Sequence, residues 1–254
     1  MRKNIFMLLA VSCLVALAGC SGALSDAPGG TGPTLDDVSY PDGVSENGTD
    51  AAALADGHRA ALENESFTLS MELSQNSSMG NRTVEMDAAV GADRDDVRAN
   101  VSAMRQQVSM YLTSEKQYTK TTVDNRSMYR VQNRTPKGMQ FVPASYTGAR
   151  YVEQFASNVS FRPTGVREVD GTKLIVLRAN ESAVTAPDRV NVTEYNGTLL
   201  VDEQGLVHGF DVQVTTEQDG QRASVGFSLG ISDVGETTVE EPNWLDEAKN
   251  RSEN

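Results

Sequence analysis

Cysteine is nearly absent from this chain of 254 residues: there are two, and Cys13 lies inside an apolar run at the very start. A disulfide framework of the kind that staples small exported domains is therefore excluded, and any core must hold by ordinary burial. Lysine is scarce as well, 6 residues against 16 arginines. Asp and Glu outnumber Lys and Arg by 35 to 22, a formal net charge of −13. Such a surface repels nucleic acid, whose binding needs Lys and Arg against phosphate. It also supplies no polybasic patch for anionic lipid heads. Two histidines, His58 and His208, cannot complete a metal site alone. No phosphate loop, dinucleotide fingerprint or thiol pair is present, so the chain offers no cofactor and no catalytic residue to argue for.

What is there begins at the amino terminus. Arg2 and Lys3 precede 14 residues, Ile5 to Ala18, that are almost wholly apolar. A charged start, a short apolar run and small residues before a break describe a secretory signal. The run is too short for a spanning helix, which needs roughly 20 apolar residues. It ends in Leu17-Ala18-Gly19-Cys20, which resembles the lipobox of secreted lipoproteins. The resemblance implies cleavage before Cys20 and a lipid on its thiol, anchoring the chain to the outer face of the cytoplasmic membrane. Removal of residues 1–19 takes away two bases and no acid, leaving a net charge of −15.

The rest divides by pattern. Residues 20–48 are rich in Gly, Pro, Ser and Asp without periodicity, which reads as a flexible acidic tether with a reach of about 30 Å. Residues 49–245 read as a single α+β domain, large enough to bury about 70% of its unfolded surface, and 246–254 as a charged tail. Thr49-Asp50 can cap a short helix over 50–63, with Leu54, His58, Ala61 and Leu62 on one face. From Phe67 the period becomes two. Phe67, Leu69, Met71 and Leu73 alternate with polar residues, as do Val84, Met86, Ala88 and Val90, then Val97 to Ala103 and Val108 to Leu112. Further strands are expected near 117–123 and 127–133. Pro136 to Pro143 interrupts them, and Ser145 caps a second helix over 145–156. A last meander follows, in which Ala223, Val225, Phe227, Leu229 and Ile231 share one face. The expected architecture is a curved, half-barrel-like antiparallel sheet with both helices on its apolar face and the other face wet.

This order of elements is similar to that of bacterial lipoprotein-carrier proteins and mycobacterial glycolipid-binding lipoproteins. It most resembles uncharacterised haloarchaeal cell-surface lipoproteins, through Leu17–Cys20, the acidic tether and the ending Glu241-Pro242-Asn243-Trp244-Leu245. A haloarchaeal source would also fit the acidic, Lys-poor composition, since hydrated carboxylates keep a surface soluble in strong salt. The carrier families imply a greasy concavity for acyl chains, but no site motif matches, so no binding residue carries over.

Asn-x-Ser/Thr sequons begin at Asn47, Asn64, Asn76, Asn81, Asn100, Asn125, Asn133, Asn158, Asn180, Asn191, Asn196 and Asn250, which is 12 of the 15 asparagines. Composition alone would give about 2.5, so several are expected to carry glycans on an exported chain. Gly226-Phe227-Ser228-Leu229-Gly230 fits the spacing of a hydrolase nucleophile elbow. However, its alternation runs straight through Ser228, and no histidine follows in the chain, so it reads as a strand. Asp93, Asp95 and Asp96 lack the spacing of a calcium loop and read as a solvated turn. His58 is expected to pack on the apolar helix face and His208 to point to solvent.

These observations favour a non-enzymatic protein holding an apolar or lipid-like molecule between sheet and helices. Its lining would come from Phe67, Leu69, Met71, Leu73, Val84, Met86, Val90, Val225, Phe227 and Leu229, with methionines adapting to the ligand. The alternative is a glycosylated envelope contact or spacer protein with a filled core.

Overall fold

Period-two patterning dictates most of the course of the chain. The computed structural model describes residues 32–78, 80–134, 146–185, 191–218 and 220–252. Its elements are β1 (Val44–Ser45), β2 (Gly48–Thr49), α1 (Ala51–Ala61), β3 (Phe67–Ser77), β4 (Gly80–Val90), β5 (Val97–Ala103), β6 (Gln106–Leu112), β7 (Lys116–Val123) and β8 (Arg126–Asn133). There follow α2 (Ala149–Ala156), β9 (Arg162–Val169), β10 (Thr172–Asn180), β11 (Asn191–Val201), β12 (Val207–Gln218), β13 (Gln221–Ser232) and α3 (Leu245–Ser252).

Strands β3–β13 form one open, curved, antiparallel sheet of 11 strands in the order β8-β7-β6-β5-β4-β3-β13-β12-β11-β10-β9. It is two meanders, β3–β8 and β9–β13, laid down strand by strand and joined where β3 pairs with β13, Leu73 opposite Phe227 and Leu69 opposite Ile231. Tight turns set the register. Asp124-Asn125 (φ 47° and 63°) and Asp170-Gly171 (φ 50° and 80°) occupy the left-handed region that two-residue hairpin loops require.

The inner face of the sheet packs on α1 and α2. The Asp50 carboxylate accepts hydrogen bonds from the Ala52 and Ala53 N–H groups and starts α1. That helix, with Leu62 just past its end, buries Leu54, Ala55, His58 and Leu62. Helix α2 begins at Ala149, three residues later than the expected Ser145 cap implies. Its N-cap is Gly148, at φ +80°, where a side chain would run into Leu229. Gly148 thus separates the 3-10 turn at residues 146–147 from the helix, with a left-handed backbone that glycine adopts without penalty. Ser145 itself and the Pro136–Pro143 interruption lie outside the described residues, as do the signal run and Cys20. From α2, Phe155 stacks on Phe227 with ring centroids 4.3 Å apart, and Tyr151 lies on the same ring at 5.7 Å.

Three expectations are corrected. The tether cannot extend to residue 48, because residues from Pro33 onward fall in the compact unit. Leu35, Val38 and Tyr40 pack against the core, Val44 is buried, and Ser39 N–H donates to Glu203. The charged tail is instead α3, whose charges face solvent while Trp244, Leu245 and Ala248 are buried. They pack on Tyr111 and Tyr118, residues of the outer face, so that face is not wet throughout but carries a small second core. The sequence hides this because Tyr111 and Tyr118 alternate with inner residues that are themselves apolar or neutral.

Candidate functional site

Antiparallel pairing puts directly opposed residues on the same face, so the registers define rows across the sheet. On the inner face one row reads Met71, Met86, Val101, Val108, Thr121 and Met128, from β3 to β8. The row nearer the helices, Leu69, Ala88, Ala99 and Met110, is fully buried. The row farther away holds Leu73, Val84, Ala103, Gln106, Val123 and Arg126. There burial fails: Leu73 is half-buried, Val84 is 36% exposed and Met128 in the adjoining row is 62% exposed. The described helices therefore cover one end of the strands β3–β8 and leave the other end as an apolar surface in contact with water. This strip is broken by Thr121 and Gln106 and is most exposed at Val84 and Met128.

The residues expected to line a ligand site fall into two groups. Phe67, Leu69, Val90, Phe227 and Leu229 are core positions beneath the helices, each no more than 4% exposed. Met71, Leu73, Val84, Met86 and Val225 lie on the uncovered part of the inner face, where they are half-buried or exposed.

Charge is distributed unevenly between the faces. At the inner positions of β3–β8 there is no carboxylate; Glu72, Glu85 and Asp87 all occupy outer positions. The basic residues at inner positions are Arg82 on β4 and Arg126 and Arg130 on β8. The sequons show the same asymmetry. All 12 acceptor asparagines are exposed, and the seven that lie within strands (Asn76, Asn81, Asn100, Asn133, Asn180, Asn191 and Asn196) occupy outer positions.

His58 locks the helical cover in place. It is fully buried, its Nδ1 accepts a hydrogen bond from Val207 N–H at 3.2 Å, and its Nε2 lies 2.7 Å from the Thr147 carbonyl. With Nδ1 accepting, Nε2 carries the proton and donates it. Burial pushes the imidazole pKa down to about 4, so the ring is neutral at pH 7. Arg94, in a left-handed turn at φ 62°, donates to the Leu62 carbonyl at the end of α1 and to Glu65 O, with its guanidinium 4.7 Å from the Phe67 ring centroid. Two buried hydroxyls, those of Tyr146 and Tyr195, have no partner among the described residues, and burial raises the pKa of both.

His208 does not point to solvent. A bulge between Leu200 and Val201 turns it to Asp202, its Nε2 2.8 Å from Oδ2, while Asp202 Oδ1 accepts from the Gln204 and Leu206 N–H groups. Asp95 N–H bonds Asp93 Oδ1, making the Asp93–Asp96 stretch a turn, and no cluster able to hold a metal exists among the described residues. Ser228 lies mid-strand on the outer face, between Asp211 and Glu72 in register. A cleft of about 580 Å³ near β9 and β10 is of mixed character, lined by Arg162, Arg178, Ala179, Asn180, Ala183 and Asn196 among others, and is separate from the apolar strip. No helix among the described residues is long and apolar enough to cross a membrane.

An open antiparallel sheet with two helices clamped on one face and an apolar strip left beside them defines an α+β protein. The chain belongs to DUF7537, a family of unknown function, which it matches over residues 5–248. No curated protein matches it. Among solved structures it is similar to LprF from Mycobacterium bovis, at 9% identity and a TM-score of 0.36, covering 77% of this chain and 99% of that one. It is similar to the lipoprotein LppX from Mycobacterium tuberculosis, at 9% identity and a TM-score of 0.38, covering 75% and 98%. A LolA superfamily protein from Nitrosomonas europaea matches at 10% identity and a TM-score of 0.23, covering 77% and 96%.

Proposed function

We propose that this protein is exported, held at the outer face of the cytoplasmic membrane by a lipid on Cys20, and binds an apolar, lipid-like molecule without performing catalysis. The observation that carries the reading is the row Met71, Met86, Val101, Val108 and Met128, half-buried at its start and exposed at Met128, which with the row beyond it lies outside the end of the sheet that the described helices cover. Flexible methionines at both ends of the row suit a ligand of variable shape. The acceptor asparagines within strands support the same orientation: glycans on the outer face would leave the inner face open for contact. Burying a further 200 Å² of apolar surface there would contribute about 5 kcal/mol before ordering costs.

A filled-core spacer is the second reading, favoured by the stacking of Phe155 on Phe227, which occupies the middle of the inner face. Organic extraction of the purified chain followed by mass spectrometry separates the two. A stoichiometric apolar molecule is expected; an extract empty of one, from protein that also takes up none from vesicles, would favour the spacer.

A further inference from the structure

We infer that the molecule held on the inner face is an anionic amphiphile, with its chain along the Met71–Met128 row and its charged head taken by Arg126 and Arg130. The inference rests on the apolar-binding reading above and adds the chemistry of the head. Arg126, Met128 and Arg130 alternate along β8 with outward Ser127 and Tyr129, so both arginines flank the exposed end of the apolar row. Across the six strands the row spans about 24 Å at ~4.8 Å per strand, room for a long alkyl chain ending at β8.

No described acidic side chain shares their face of β3–β8. Among the described residues neither Arg126 nor Arg130 has a carboxylate partner, a condition they share with most of the described arginines; what sets them apart is their place beside Met128 on this acid-free part of the face. With its amide in the orientation that satisfies both groups, Gln132 accepts from Arg130 Nε and Nη2 at 2.9 and 2.8 Å, which holds the guanidinium in place without cancelling its charge. In a chain of net charge −13, a stretch of six strands whose inner positions carry arginines and no acid runs against the composition. Two like charges bordering an apolar strip favour a bound anion, and the guanidinium fork suits the oxygens of a phosphate or carboxylate. An amphiphile with an anionic head meets both demands of the surface, where a neutral lipid meets only one.

The test titrates the full-length chain with lysophosphatidylglycerol and with the uncharged, phosphate-free monoacylglycerol of the same acyl chain, and with inorganic phosphate as a competitor. The anionic lipid is expected to bind about tenfold more tightly. The double variant Arg126→Gln/Arg130→Gln should lose that preference while keeping its affinity for the monoacylglycerol, whose head offers no anion, and its melting temperature. Equal binding of the two lipids by the unmodified chain would overturn the head-group inference and leave the apolar site standing. Competition by inorganic phosphate as effective as that by the anionic lipid would overturn it too, because the chain would then contribute nothing. Binding of neither lipid would overturn the apolar reading itself.

Discussion

The Nε2 of His58 stands 2.7 Å from the carbonyl oxygen of Thr147, joining α1 to the residue just before the Gly148 turn. Its other nitrogen is occupied by Val207 N–H of β12, so one ring ties both halves of the helical cover to the sheet. Protonating Nδ1 would break the second bond and bury a charge. With a folded pKa of about 4 against 6.5 in the unfolded chain, the unfolded state takes up the proton first as pH falls. Stability from this residue is therefore intact above pH ~6.5 and declines down to pH ~4, by about 3 kcal/mol in all. Denaturant titrations at pH 7.5 and 5 should show the loss, and His58→Gln should reduce this pH dependence while lowering stability at pH 7.5.

Gly148→Ala should destabilise the protein by about 2–4 kcal/mol, combining left-handed strain with overpacking. The new Cβ would meet the Leu229 side chain. Trimming the obstacle in Gly148→Ala/Leu229→Ala should cost less than the sum of the two single changes. Thermal melts of the four proteins check this, and simple additivity would show that Gly148 and Leu229 do not press on each other.

Trp244 anchors α3 on the outer face, 8% exposed, with its ring centroid 6.4 Å from that of Tyr129 on edge strand β8. Tyr129 OH donates to Glu247 at 2.7 Å, and Arg251 lies 5.3 Å from the Tyr129 ring centroid. Trp244→Ala should cost about 2–3 kcal/mol. Amide exchange should accelerate in β7 and β8 first, since those are the strands that α3 covers. Uniform acceleration across the sheet would contradict a local anchor.

The strands were legible because their apolar residues alternate, and their turns because Asp124-Asn125 and Asp170-Gly171 carry the residue types that tolerate left-handed backbone. The β3–β13 pairing was not, since nothing local to Leu73 names Phe227, some 150 residues away, as its partner. Helix α3 was hidden by Asp246, Glu247, Lys249 and Arg251, which outnumber the three residues that pack. His208 escaped a parity argument because the bulge at Leu200/Val201 shifts the alternation. The apolar members of the candidate face were visible in the sequence, but not the division between covered and uncovered ends, which depends on where α1 and α2 lie. Nor were Arg126 and Arg130 marked out, because a basic residue in an alternating strand reads as solvent-facing until the register places it beside Met128.

The inner-face claim is tested most directly by the methionine methyl signals. In a sample labelled at the methionine methyl carbon, a spin-labelled fatty acid should broaden the resonances of Met71, Met86 and Met128, which share one row. Met104, 83% exposed in a turn off that row, should remain sharp. Broadening of Met104 as strong as that of the row, or none at Met71, Met86 and Met128, would contradict a ligand held on this face.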